Sequence, residues 1–166
     1  MLTLIGIVAA CDDVSVSGTQ RRTFLFAADL LAMQEASGVL VEIHGAPWPD
    51  ATPEQIASTL RMPDGPAHAV RFRDIAPGQW VIGDSDRLVL HFNPTGEPDS
   101  IADCRAKEPM QTKPPQKSGF TVNASFCKQG EWLSHAFLKA RSVEQDDWFG
   151  YTFAMQKLLG ALFPEK

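Results

Sequence analysis

At 166 residues, with 44% hydrophobic and 21% charged side chains, the chain has the length and composition of one globular domain with an ordinary core. Its net charge of -5 argues against nucleic acid as a partner. Beyond residue 10 no apolar run approaches the roughly 18 residues that span a bilayer.

The chain opens with an apolar run over 2–10 that ends in two alanines before Cys11, and Asp12-Asp13 begins a polar stretch directly after it. Val8-Ala9-Ala10-Cys11 resembles the cleavage and acylation box of bacterial lipoproteins, although the first basic residue, Arg21, lies beyond it where such a leader should start with positive charge. The resemblance implies a signal-peptide remnant over 1–10, a lipid on Cys11, a tether over 11–18 and one domain over 19–166. That domain would be held on the periplasmic side of the envelope, anchored and not membrane-spanning. It implies no activity, because lipoproteins share an export route and not a fold. The competing reading is a cytoplasmic globular protein in which 2–10 is a buried β-strand and Cys11 an inert core thiol. Under the lipoprotein reading the three cysteines divide into a lipid site and a pair. Cys104 and Cys127 are then expected to form a disulfide in an oxidising compartment, closing a loop of about 24 residues worth roughly 3 to 4 kcal/mol.

Downstream, 19–37 carries Phe24, Ala27, Ala28, Leu31 and Glu35 at helical spacing, with Gly38 placed to stop a helix near Ala36. Residues 39–44 read as a strand and 45–50 as a loop, in which Trp48 between two prolines either caps the edge of a core or offers an interaction anchor. Thr52-Pro53-Glu54-Gln55 is a capping box with proline at the first helical position, and its helix should run to Arg61 or Met62 before Pro63. Short strands follow at 70–73 and 80–82, then a longer one at 88–93. The 94–119 segment is a long Pro/Gly/Lys-rich connection, and connections of that length are functional or disordered. Residues 120–127 alternate apolar and polar, Gln129-Gly130 suits a hairpin turn, and the chain returns through 132–140. Asp146-Asp147 should cap a last helix striped by Trp148, Tyr151, Met155, Leu158 and Leu162, ending at Pro164. The order of elements predicts an α+β two-layer sandwich, a mostly antiparallel sheet with helices packed on one face.

If Val39, Val41 and Ile43 face the helices, Glu42 and His44 face the other way, as His91 and Asn93 do on their strand, with Thr121, Asn123 and Ser125 beside them. On adjacent strands Glu42, His44 and His91 could supply three ligands of an open zinc site for a metal-dependent hydrolase. The plainer expectation is a solvent-facing polar sheet surface. A two-residue turn places His135 inward, opposite Ala124, and Trp132 opposite Cys127. Gly83-Asp84-Ser85 resembles the nucleophile block of GDSL-type hydrolases over three residues, but no Asp-x-x-His follows it. No thiol-exchange, phosphate-loop or nucleophile-elbow motif occurs, so neither cofactor nor catalytic residue is expected.

Charge is unevenly spread. Between Cys104 and Lys128, Arg105, Lys107, Lys113, Lys117 and Lys128 face Glu108 alone, a basic patch that could meet anionic polymer or lipid headgroups. The expectation is therefore a lipid-anchored binding module that presents a polar sheet face or a basic loop to an envelope protein, an anionic polymer or the membrane surface.

Overall fold

The structure, a computed structural model, describes residues 13–23, 25–33, 38–82 and 86–165. The lipobox-like segment with Cys11, the expected helix end at Ala36 and the Gly83-Asp84-Ser85 block lie outside these residues.

Six strands form one mixed sheet in the order β1-β6-β5-β4-β2-β3. They are β1 (Val14–Arg21), β2 (Val39–His44), β3 (Phe72–Ile75), β4 (Arg87–Phe92), β5 (Ser118–Lys128) and β6 (Glu131–Glu144). Four helices accompany them: α1 (Ala27–Met33), α2 (Pro53–Thr59), α3 (Ser100–Arg105) and α4 (Trp148–Leu162). The architecture is α+β, as expected. Its antiparallel half is β1-β6-β5-β4, and β2 pairs parallel with both β3 and β4. Crossing between β2 and β3 through α2 permits the parallel pair, since a hairpin cannot join parallel strands.

The main core lies between one sheet face and α1, α2 and α4. Val41, Ile43, Leu88, Leu90, Val122, Ala124 and Leu138 meet Leu30, Ile56, Met155, Leu158 and Leu159 there. Trp48 is buried in this core, edge-on to Trp148 and Tyr151 at ring distances of 4.9 and 5.9 Å, so it caps the core and is no exposed anchor. The Thr52 capping box forms as read, with Gln55 N donating to Thr52 Oγ1 and Thr52 N donating to Gln55 Oε1. Helix α2 nonetheless ends at Thr59, earlier than expected. Leu60 and Met62 are both buried, and an extended backbone sends both into the core. Pro63 also disfavours a helical Met62.

Three expectations need correction. Residues 14–18 are no tether, because Val14–Arg21 is an edge strand whose Val14 and Val16 pack on the core while Ser15 and Ser17 face away. The first helix is correspondingly shorter and starts at Ala27, with Asp29 Oδ2 accepting from Phe26 N at 2.7 Å. The expected strand at 80–82 is a 3-10 turn over Gln79–Ile82, tied back by Ala76 N donating to Gln79 Oε1.

The long connection holds α3, started by Asp99, whose Oδ1 accepts from Ile101 N and Ala102 N at 3.0 Å each. Helix α3 crosses the sheet face opposite the other helices, and Cys104–Cys127 joins it to β5 with a Cα–Cα distance of 5.5 Å. Val89 and Trp132 pack around this disulfide, so the expected ring cover at Trp132 is present. The chain after α3 lies close on the ends of β2 and β4. At Gly45 (φ +73), a Cβ would stand 2.7 Å from Thr112 Cγ2 and 2.9 Å from the Phe92 carbonyl oxygen.

Candidate functional site

Strand register assembles the polar residues of the second sheet face. His44 lies beside His91 in the β2-β4 pair, while His91 faces Asn123 and Arg87 faces Cys127 in the β4-β5 pair. Glu42, His44 and His91 therefore do come together, with the two imidazoles 5.9 Å apart edge-on. What surrounds them is not solvent. With α3 and the 106–112 chain laid over this part of the sheet, Glu42, His44, Arg87, Asp103 and Asn123 are at most 1% exposed. The expected solvent-facing surface is, over β2 and β4, a second buried layer.

Burying charge demands partners, and most polar atoms of this layer have one, Arg87 Nη1 being an exception among the described residues. Arg87 Nε donates to Glu42 Oε2 at 2.8 Å and Arg87 Nη2 to the Cys104 carbonyl at 2.8 Å. The indole of Trp80 covers the guanidinium at 4.0 Å and itself donates to the Ala106 carbonyl. Desolvation lowers the Arg87 pKa, against the opposing pull of Glu42. The other Glu42 oxygen lies 2.9 Å from His44 Nε2, and Met110 N donates to His44 Nδ1 at 3.0 Å. An Nδ1 that accepts leaves the ring proton on Nε2, directed at Glu42.

His91 is held differently. Its Nδ1 faces Asp103 Oδ1 and its Nε2 faces the Gln111 carbonyl, each at 3.1 Å. Both neighbours accept, so the imidazolium satisfies both. Burial disfavours that charge, but the hydrogen bond and charge of Asp103, with the Gln111 carbonyl, outweigh it and raise the pKa. Asn123 Nδ2 donates to the second Asp103 oxygen. Arg87 and the His91 ring thus face the side chains of Glu42 and Asp103 in a closed layer.

The consequence for the zinc idea is direct. His44 has one nitrogen accepting and the other donating, His91 has both nitrogens turned to acceptors, and both Glu42 oxygens are engaged. An open tetrahedral position needs free lone pairs that converge, and these three residues offer none. Among the described residues no group of three or more histidine, cysteine or carboxylate side chains is placed to hold a metal ion.

Part of the second face remains open, beyond α3, over β6 and β1 and at Thr121 of β5. A cleft of about 460 Å³ lies there, lined among others by Ser17, Glu97, Lys113, Asn123, His135 and Phe137. His135 belongs to this cleft and not to the core, a correction to its expected inward position. A bulge between Phe126 and Cys127 keeps Trp132 opposite Cys127 but shifts the register beyond it, so His135 faces Ser125 and Ala136 faces Ala124. Partial burial lowers the His135 pKa against a weaker opposing pull from Asp103, so its ring is neutral at pH 7. The buried Asn123 Oδ1 and Ser125 Oγ have no hydrogen-bond partner among the described residues. The cleft therefore combines an aromatic wall, a neutral imidazole, one cation, one carboxylate and an unpaired acceptor.

The two histidines carry a test. In an NMR titration His91 should titrate above, and His135 below, the ordinary value near 6.5. Because folding raises the His91 pKa, its contribution to stability is complete below the unfolded value and is lost as pH rises through the folded one. His135 has the opposite sign and costs stability as pH falls below its unfolded value. His91→Gln should flatten the loss of stability on the alkaline side of 6.5, and an unchanged slope in that variant would show that Asp103 does not hold the proton.

The expected basic patch divides. Arg105 pairs with Glu131, whose carboxyl it holds below the usual range, and Lys128 lies 3.5 Å from Asp86. Lys113 stands at the other end of the sheet, where its N–H donates to the Asn93 carbonyl at 2.7 Å. From Arg87, beside Cys127, to Asn93 is six residues of strand, roughly 20 Å. Lys117 lies at the Lys113 end, its carbonyl accepting from Gln145 N, and Lys107 follows α3 at the Arg105 end.

The cleft and helix α3 are what sequence reading missed. The signal for α3 was present, as Asp99 ahead of Ser100-Ile101-Ala102 is a helix start. No comparable local signal marks the bulge that turns His135 outward. Comparison with known proteins adds no relative: no family model, no curated protein and no solved structure matches the chain.

Proposed function

We propose that this chain is a lipid-anchored, non-enzymatic binding module on the periplasmic side of a bacterial envelope, offering the open half of its second sheet face to a partner. The observation that carries the reading is the Cys104–Cys127 disulfide. Structural disulfides persist in oxidising compartments, and this one accounts for two of the three cysteines, the third being Cys11 behind Val8-Ala9-Ala10. The cleft at His135 and Phe137 supports a binding role. The closed state of Glu42, His44 and His91 supports binding over hydrolysis, because no group there is free to take a proton from a substrate.

Expression of the full chain in a bacterium, followed by mass spectrometry of the membrane fraction, tests the anchor. The expected product begins at an acylated Cys11, and Cys11→Ser should leave the chain unprocessed. Recovery of a wild-type chain that retains Met1 and a free thiol at Cys11 would overturn the reading.

A further inference from the structure

Beside the cleft, on the same sheet face, lies a groove of about 270 Å³ at the end of the molecule where the described chain begins. Its lining includes Lys139 and Arg141 of β6, with Ser118 and Thr121 of β5. Lys113 and Lys117 stand at its edge: Lys113 bonds Asn93, and Lys117 lies between Gln116 and Ser118, all three of which line the groove. All four cations are exposed. The acids around it include Asp13, which is exposed, Glu144, which accepts from Ser118 Oγ at 3.1 Å, and Glu97, which lines the adjoining cleft with Lys113. Among the described residues the lining itself carries two cations, Lys139 and Arg141, and no carboxylate, on a protein whose net charge is -5.

The chain's own course ties this groove to the membrane. Arg141 N donates to the Asp13 carbonyl at 2.8 Å, and Ser15 pairs with Lys139. Cys11 is two residues before Asp13 in the sequence. Acyl chains on Cys11 would hold this end of the sheet at headgroup depth, with the groove facing phosphates.

We propose that the Lys139/Arg141 groove is a docking site for anionic glycerophospholipid headgroups, orienting the domain on the bilayer that anchors it. This rests on the lipid-anchor reading. Contact at Lys113, Lys117, Lys139 and Arg141 sets the far end of the sheet, with Arg105 and Lys128, away from the membrane. The adjoining cleft then opens along the bilayer surface.

The test uses the full chain carrying Cys11→Ser, so that the groove acts without a lipid, while acylation of Cys11 is read separately by mass. Co-sedimentation is measured with vesicles of phosphatidylcholine alone and with added phosphatidylglycerol. Binding should require phosphatidylglycerol and fall with added salt. A cation near an anionic surface contributes about a five-fold gain in binding, so Lys139→Glu with Arg141→Glu should weaken it more than about tenfold. The same charge change at the far end, Lys107→Glu with Lys128→Glu, should leave at least half of the binding. Equal binding to both vesicles, no binding to either, or equal loss in the two double variants would overturn the proposal. An acylated Cys11 together with any of those results would leave the anchor standing and remove the groove.

Discussion

Replacing Arg87 with methionine is expected to destabilise the fold by about 3 to 5 kcal/mol, the cost of leaving a buried ion-pair partner uncompensated. The side chain is fully buried and holds three things at once: Glu42 Oε2, the Cys104 carbonyl and the face of Trp80. Without the guanidinium, Glu42 keeps only the His44 ring proton against its charge, and the carbonyl of α3 loses its donor. Urea unfolding followed by circular dichroism at neutral pH measures the loss. Combining Arg87→Met with Glu42→Leu should recover a substantial part of it, since both charges then leave the layer together. A single-variant loss below about 1 kcal/mol would mean that the pair is not buried as described.

Removing the disulfide should cost a comparable amount by another route. A bridge between cysteines 23 positions apart, as here, restricts the unfolded chain by about 3.5 kcal/mol in the chain-entropy treatment. Cys104→Ala with Cys127→Ala should lower the urea midpoint accordingly and shift the fluorescence of Trp132, which packs against the bridge. The loss should not add to that of Arg87→Met. Arg87 binds the backbone of Cys104, so both substitutions loosen the same hold on α3, and residues sharing a contact are coupled. Additive losses within about 0.5 kcal/mol would show that bridge and ion pair act on α3 separately.

Much of the fold is legible in local pattern. Val39–His44, Arg87–Phe92 and the β5-β6 hairpin follow from alternation and from Gln129-Gly130, whose positive φ values of 50 and 76 suit the tight turn. The α2 capping box and the start of α4 at Asp147 follow from side chains that replace missing backbone partners. Strand β1 was less legible because its apolar stripe is two valines long, and an edge strand owes its stability to the neighbour it joins. The pairing of β1 with β6 is a long-range event that no window around Val14 contains.

The candidate site divides along the same line. Alternation places Glu42, His44, His91 and Asn123 on one face, and that much is a property of the strands themselves. Whether such a face is wet or dry depends on what crosses it. Helix α3 and the following chain bury one half, turning a possible ligand set into an ion-paired layer, and leave the other half as a cleft. One extra residue at the Phe126/Cys127 bulge moves His135 from the core to that cleft, because a shift of one position exchanges the two faces of a strand. Sequence by itself determined the α+β class, the strands and caps, and the chemical character of each sheet face, since these arise from neighbours along the chain. Tertiary structure alone decided which polar groups are locked and which are open, because partners, burial and register are set by segments distant in sequence.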